Sequence, residues 1–167
     1  MAELWDIYDA NGNKTGRLHK RGMPLQKGDF ALYVMVWVVN QKGEFLVTKR
    51  APDRGDCWHT TGGCAITGDD SLAAALREAR EEIGIVLDPE AGQLFKRYNI
   101  VNTNGGGAIA DVWLFVQEVD ISDVVLCPIE IADAKWANSE QIKSMTHDGS
   151  FNYPYLDELF AYCDRLK

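Results

Sequence analysis

The pattern of hydrophobic and polar positions along the chain predicts a mixture of strands and helices. Runs rich in β-branched and aromatic residues are typical of strands. Such runs occur at residues 3–8, 14–19, 30–40, 44–50, 98–101, 110–119 and 134–137. Asn11-Gly12 is a hairpin turn signal, so residues 1–22 are predicted to form an N-terminal β-hairpin. Residues 51–58 are predicted to form a loop.

Helical spacing of apolar residues appears between these strands. One predicted helix covers residues 70–83, where four apolar residues share a face: Leu72, Leu76, Ala79 and Ile83. Asp69, Asp70 or Ser71 would cap its start, and Gly84 would end it. A second helix would begin at Ser139. A third would have Pro154 in its first turn and an apolar stripe suited to core packing: Tyr155, Leu159, Tyr162 and Leu166. Together the elements predict an α/β (α+β) sandwich.

Composition and charge narrow the class of protein. The 167 residues are 46% hydrophobic and include five Trp, which predicts a single domain spanning residues 1–167 with a sizeable core. A net charge of −8 argues against a nucleic acid polymer or an anionic membrane surface as partner. The chain has no signal-peptide features, no apolar run long enough to span a bilayer and no paired cysteine motif, so we expect reduced thiols and a cytoplasmic location.

The chemically informative stretch runs from Gly62 to Ile85. Within it Glu78, Glu81 and Glu82 stand at helical spacing and occupy an arc of about 100° on one helix face. Such a cluster is either a solvated acidic face or the site of a divalent cation, and oxygen ligands favour Mg²⁺ or Mn²⁺. The glycines before the helix predict a sharp turn that exposes backbone groups beside the carboxylates. A Walker-type phosphate loop is excluded because Asp69 and Asp70 replace its Lys-Ser/Thr pair.

The same stretch resembles the Nudix box, G-x5-E-x7-R-E-U-x-E-E-x-G-U, in which U is aliphatic. The residues that match in register are Gly63, Arg77, Glu78, Glu81, Glu82, Gly84 and Ile85. Asp69 replaces the first Glu of the pattern, and Ala79 is a small residue at a U position. The resemblance places the box at residues 63–85 and implies a Nudix-type α/β/α sandwich with a mixed sheet, together with hydrolysis of a diphosphate bond.

The resemblance also implies roles for these residues. Glu78, Glu81 and Glu82, with the Gly63 carbonyl, would bind the metal, and Glu81 or Glu82 would accept a proton from water. Arg77 would orient the carboxylates through ion pairs, and Asp69, one methylene shorter than the Glu of the pattern, would be a second orienting residue.

Residues outside the box provide further candidates. Lys49 and Arg50 are predicted phosphate contacts, although both could be ordinary surface bases. Asp111, at the start of an apolar strand, is predicted to be a metal ligand or general base, and Glu130 is an alternative base or a structural hydrogen-bonding group. Trp58 could stack on a substrate or simply pack.

Two rival functions remain open at the level of sequence. The N-terminal hairpin and the WHTTGG segment resemble the isopentenyl-diphosphate isomerase-like branch of the superfamily, but Gly63 and Ala65 stand where such isomerases have Cys and His. A non-catalytic Nudix-fold binding module is the other rival, and it usually lacks box glutamates. Hydrolysis of a small-molecule diphosphate is therefore preferred, with its identity open. The hairpin could pair with a second subunit, giving a homodimer, or cover its own core.

Overall fold

The computed structural model describes residues 3–151, 153 and 156–165, which form a mixed sheet and three α-helices. The strands are β1 Leu4–Tyr8, β2 Lys14–Lys20, β3 Phe30–Val39, β4 Phe45–Arg50, β5 Trp58–His59, β6 Thr61–Cys64, β7 Gly92–Val101, β8 Gly107–Val116 and β9 Ile131–Ala137. The helices are α1 Ser71–Ile83, α2 Ser139–His147 and α3 Leu156–Asp164.

Strand β3 is the centre of the sheet. It pairs in parallel with β8 over its full length and antiparallel with β1, β4 and β6. Its side chains alternate between two cores: Val34 and Val36 pack in the core that contains α1, while Trp37 and Val39 pack in the core that contains α2 and α3. Because both faces of the strand are covered, its sequence is continuously hydrophobic rather than alternating.

Helices thus cover both faces of the sheet, which confirms the predicted α/β/α sandwich. Strands β4 and β9 pair antiparallel on one side of the centre, and β8 and β7 pair antiparallel on the other. No helix among the described residues is long and apolar enough to span a membrane. The four cysteines Cys57, Cys64, Cys127 and Cys163 are free thiols.

The predicted N-terminal hairpin is confirmed. Strands β1 and β2 pair with each other, and β1 adds to the edge of β3. The hairpin also contacts the loop before α1, because the amide of Thr67 donates to the carbonyl of Leu4 at 2.8 Å and the amide of Gly68 donates to Asp6 Oδ2 at 3.2 Å. The hairpin is therefore bonded directly to the segment that leads into the box helix.

The predicted sharp turn is confirmed at Gly68, where φ is 96°, but is wrong at Gly62 and Gly63, which lie in strand β6. A Cβ atom on Gly62 would lie 2.1 Å from the carbonyl oxygen of Val34, so glycine here permits close strand pairing rather than reversal of the chain. The segment 51–58, predicted as a loop, also contains regular structure: a short 3₁₀ helix at Pro52–Arg54 and the first residue of β5.

The predicted helix starts and ends agree well with the structure. Asp70 caps α1 by accepting from the amide of Ala73, and Gly84 ends it with φ of 70°. Helix α2 begins at Ser139 as predicted, with Asn138 as its cap. In the C-terminal helix Leu159 is buried, whereas the predictions for Pro154, Tyr155 and Leu166 lie outside the described residues.

Strand β7 is longer than predicted and begins at Gly92 rather than near Tyr98. Its first half contains the exposed residues Gln93 and Leu94, and the strand pairs only with β8 at the edge of the described sheet. Hydrophobic alternation is weak in such an edge strand, so the pattern that predicts buried strands misses it. Strands β8 and β9 each begin three residues before their predicted starts.

Candidate active site

Arg77 on α1 organises the acidic residues of the box. Its Nε donates to Asp69 Oδ2 at 3.0 Å. Its Nη1 donates to Glu78 Oε1 and to Glu81 Oε2, both at 2.9 Å. Its Nη2 donates to the carbonyl of Cys64 at 3.0 Å. One guanidinium therefore joins the loop, β6 and two helix carboxylates, and the shorter Asp69 side chain still reaches it.

Gly63 brings the backbone of β6 against the Glu78 carboxyl group. A Cβ atom at this position would lie 2.5 Å from the Glu78 carboxyl carbon, a distance that real Cβ contacts do not reach. Glycine therefore leaves the room that the carboxylate needs. The close approach also places the Gly63 backbone beside that carboxylate, where a cation held by Glu78 would meet it.

The three helix glutamates lie in different environments. Glu78 and Glu82 are 8% and 5% exposed, whereas the Glu81 side chain is 59% exposed. Burial raises the pKa of Glu82 to about 8, against the opposing effect of a hydrogen bond from the Gly62 amide at 3.1 Å. Burial also raises the pKa of Glu78, and its ion pair with Arg77 acts in the opposite direction. A solvated acidic helix face is therefore wrong for Glu78 and Glu82.

These carboxylates suit a hard divalent cation. Glu82 is buried and makes no ion pair with any described residue, and the nearby donors are oxygen atoms, which Mg²⁺ and Mn²⁺ prefer. Among the described residues, no three carboxylate, imidazole or thiol groups surround one point closely enough to hold a metal ion as they stand. Glu78 and Glu82 form the buried pair, and the exposed Glu81 is turned toward Arg77.

The glutamates line a cavity of about 240 Å³ that also contains several arginines. Its acidic residues are Glu3, Glu78, Glu81, Glu82 and Glu130. Its basic residues are Arg21, Arg50, Arg54 and Arg77. A cavity that places cationic side chains opposite a carboxylate cluster can hold an anionic group and a metal ion at once.

Arg50 is the cavity arginine best placed to bind an anion. It ends β4, and the register of β4 against β9 shifts between Lys49 and Arg50, as at a β-bulge, which redirects side chains. The Arg50 guanidinium makes no ion pair with a described residue, while Arg54 pairs with Glu130 at 3.2 Å. The Arg50 side chain is half-buried and its hydrogen-bond donors are available.

Three other polar side chains of the cavity are neutral near pH 7. Burial lowers the pKa of His59 to about 4 and raises those of Tyr33 and Cys64 to about 12 and about 11. His59 is thus an uncharged imidazole, and the Cys64 thiol is not a thiolate nucleophile.

Three residues predicted to contact metal or substrate do not line this cavity. Lys49 pairs with Asp56 at 2.9 Å. Trp58 packs beneath Lys135, whose Nζ lies 4.0 Å from the centre of its ring. Both are therefore engaged elsewhere on the molecule.

Asp111 is the third predicted residue that does not line the cavity. It is 0% exposed and accepts from Arg97 Nε at 2.6 Å and Nη2 at 2.7 Å. Ser71 also donates to it, and Trp113 in turn donates to Ser71. This network ties β7 and β8 to the start of α1, so the predicted role of Asp111 as metal ligand or base gains no support from its position.

Sequence reasoning missed six cavity residues, Glu3, Trp5, Arg21, Tyr33, Arg54 and Ile131. The first three come from the hairpin and the residue that follows it. The available signal was the opposite charge of Glu3 and Arg21 at the open end of the hairpin, where Arg21 Nη1 donates to Glu3 Oε2 at 2.9 Å. The orientation of the hairpin toward the box could not be read from that pairing alone.

Comparison with known proteins agrees with the fold described above. The NUDIX domain profile matches residues 29–159. An uncharacterised Nudix hydrolase of Listeria monocytogenes is 32% identical over 163 residues, covering 95% of this chain and 94% of the relative. The crystal structure of DR0079 from Deinococcus radiodurans has a TM-score of 0.75 at 19% identity, covering 96% of this chain and 99% of that one. The chain belongs to the Nudix family and is a hydrolase of phosphorus-containing anhydrides.

The similarity to an isomerase is partial. The isopentenyl-diphosphate Δ-isomerase of Escherichia coli is 30% identical over 87 residues, which cover 50% of this chain and 48% of the isomerase. The residues at which the chain departs from such isomerases, Gly63 and Ala65, lie at the cavity and in the adjacent core.

Proposed function

We propose that the protein is a magnesium-dependent hydrolase that cleaves the diphosphate linkage of a nucleoside diphosphate derivative or a similar small metabolite. The observation that carries this proposal is the single cavity in which buried Glu78 and Glu82 face Arg50 and Arg54. The carboxylates match a divalent cation, and the guanidinium groups match phosphate oxygens. A cytoplasmic location, with small-molecule partners, belongs to the same proposal.

Glu78 and Glu82 would hold the cation, together with the Gly63 carbonyl. Mg²⁺, or Mn²⁺ in its place, would offset the charge of the diphosphate and make a nearby water more acidic. Binding of the cation would also supply the positive charge that buried Glu82 otherwise lacks. Arg77 would keep Asp69, Glu78 and Glu81 in position through the ion pairs described above.

Arg50 would orient one phosphate of the substrate by donating hydrogen bonds to its oxygens. Arg54 lines the same cavity, where its charge is balanced by Glu130. The positive charge of Arg50 opposes the overall charge of −8 and favours entry of an anion.

Glu81 would accept the proton of the attacking water. Its side chain is the most exposed of the three glutamates, and it makes its ion pair with Arg77 rather than closing on the buried pair. As the water oxygen bonds to phosphorus, the bond from phosphorus to the bridging oxygen breaks, and the proton passes to the Glu81 carboxylate. The other phosphoryl group leaves with the bridging oxygen.

A product screen on glutamate variants tests this function. Purified protein with Mg²⁺ or Mn²⁺ would be incubated with nucleoside diphosphates, sugar nucleotides, CDP-alcohols and prenyl diphosphates, with products identified by mass. We expect hydrolysis of at least one class. Glu81→Gln should lower kcat about 100-fold or more while keeping metal affinity, whereas Glu78→Gln and Glu82→Gln should weaken metal binding itself.

Glu90→Gln is the matched control, because Glu90 is an exposed glutamate outside the cavity. The control should behave like the wild type in both assays. Absence of hydrolysis across the panel, or isomerisation of isopentenyl diphosphate in place of hydrolysis, would contradict the proposal.

A further inference from the structure

One wall of the cavity comes from outside the matched family domain. The NUDIX profile begins at residue 29, yet Glu3, Trp5 and Arg21 line the cavity together with the box glutamates. This wall is therefore a part of the candidate site that lies outside the matched domain.

The hairpin wall is held in place on both sides of Trp5. The carbonyl of Leu4 accepts from the amide of Thr67, and the carboxylate of Asp6 accepts from the amide of Gly68. Asp6 also pairs with Lys14 of the second hairpin strand at 2.7 Å. Trp5 lies between these two attachment points, so its backbone is fixed relative to the loop that leads into α1.

The Trp5 ring is also oriented by its neighbours. Its Nε1 donates to Glu3 Oε1 at 2.9 Å, and the other Glu3 oxygen accepts from Arg21 at 2.9 Å. His19, across the hairpin, lies with its ring centroid 5.9 Å from that of Trp5. The indole ring is therefore half-buried, with His19 on the hairpin beside it and the Glu3–Arg21 ion pair at its N–H edge.

The chemistry of the cavity favours a planar polar group against this wall. Among the described lining residues, Ile131 alone has an aliphatic side chain. A prenyl or alkyl chain would find little apolar surface there, whereas a flat heterocycle can stack on indole and hydrogen-bond at its edge.

We propose that Trp5 is a specificity-determining residue that stacks on the planar ring of the group attached to the diphosphate. Arg21 and Glu3 contact the polar edge of that ring. The inference rests on the proposed function for the position of the diphosphate, and it identifies the hairpin as the element that selects the attached group.

Equilibrium binding tests the inference without requiring turnover. Calorimetry would compare AMP and CMP with ribose 5-phosphate, which lacks the ring, on wild-type protein with Mg²⁺. We expect the two nucleotides to bind more tightly than ribose 5-phosphate. Trp5→Ala should weaken nucleotide binding about 10-fold and leave ribose 5-phosphate unchanged, and Trp5→Phe should retain most of the affinity.

Leu18→Ala is the control, because Leu18 lies on the same hairpin, is exposed and does not line the cavity. It should bind all three ligands like the wild type. The inference is overturned if wild-type protein binds AMP and CMP no more tightly than ribose 5-phosphate, or if Trp5→Ala weakens all three ligands equally.

A measurement on the wild-type protein covers the case in which Trp5→Ala does not fold. The indole N–H signal of Trp5, assigned by its loss in Trp5→Phe, should shift when CMP is added and stay in place with ribose 5-phosphate. An unmoved signal at saturating CMP would overturn the inference.

Steady-state kinetics separates this inference from the proposed function. With a nucleoside diphosphate derivative as substrate, Trp5→Ala should raise KM and largely preserve kcat. If nucleotides bind through Trp5 but are not hydrolysed, the proposed function is contradicted and the role of Trp5 is not. If nucleotide substrates are hydrolysed with a KM that Trp5→Ala does not change, the role of Trp5 is contradicted and the proposed function is not.

Discussion

Glu82 is buried and forms no ion pair within the part of the chain that the structure describes. Its pKa of about 8 means that the carboxyl group is mostly protonated at pH 7 in the metal-free protein, because desolvation disfavours the carboxylate. A cation can bind only the ionised form, so metal binding and proton loss are coupled. The same residue therefore links the proposed metal site to pH.

Metal binding at pH 7 should release about one proton. Since the pKa of Glu82 is raised, affinity should fall as pH drops below about 8 and level off above it. Calorimetric titration with Mn²⁺ in buffers of different ionisation enthalpy measures the released proton. Glu82→Gln removes the titrating group, and wild-type heats that do not depend on the buffer would contradict this prediction.

Asp111 illustrates how an acid that is costly to bury can serve the fold. Its carboxylate accepts hydrogen bonds from Arg97 and Ser71. The Arg97 side chain extends to the hairpin turn, where a Cβ atom on Gly12 would lie 3.1 Å from Arg97 Nη1. The sequence predicts that such an acid must be paired, hydrated or near metal. In the structure Asp111 is paired with Arg97.

Asp111→Asn should lower the free energy of unfolding by about 2 kcal/mol or more, because it removes the negative partner of Arg97 from a buried ion pair. It should change kcat/KM of the folded protein only a few-fold, since Asp111 lies outside the cavity lining. Urea unfolding and steady-state kinetics check the two parts. A stable variant with kcat reduced 100-fold would instead restore Asp111 as a base.

At the scale of elements, β6 and α1 form the candidate site by close approach. The strand carries two adjacent glycines, and each is required for a different contact. Gly62 faces the backbone of β3, while Gly63 faces the end of the Glu78 side chain. The distinction gives the two glycines different expected phenotypes.

Gly63→Ala should weaken Mn²⁺ affinity about 10-fold or more, because its methyl group displaces the Glu78 carboxylate from its position. Stability should change little, since that carboxylate ends a flexible side chain. Gly62→Ala is the contrast, because its methyl group meets the Val34 carbonyl and should destabilise the sheet. Thermal unfolding and metal titration of both variants test this, and unchanged Mn²⁺ affinity in Gly63→Ala would contradict it.

At the scale of the whole molecule, the elements with strong local patterns were predictable from sequence. The central strand β3, helix α1 with its Asp70 cap, and the hairpin follow from hydrophobic spacing and turn residues. Strand β7 was mostly missed because its exposed edge carries little hydrophobic pattern.

The candidate site was predictable where its residues are close in sequence. Arg77 and the three helix glutamates follow from the box, whereas Trp5, Arg21 and Arg54 reach the cavity only through tertiary packing. Lys49 and Arg50 show the same limit, because adjacent residues of a strand point to opposite faces, and only the packed structure shows that Arg50 lines the cavity while Lys49 pairs with Asp56.

Anomalous diffraction from crystals grown with Mn²⁺ tests whether the buried glutamates bind a cation. We expect an anomalous peak in the cavity, within bonding distance of carboxylate oxygens of Glu78 and Glu82 and beside the Gly63 carbonyl. The peak should be lost in Glu82→Gln. An ion bound elsewhere, or an empty cavity even with a nucleotide present, would contradict the proposed metal site.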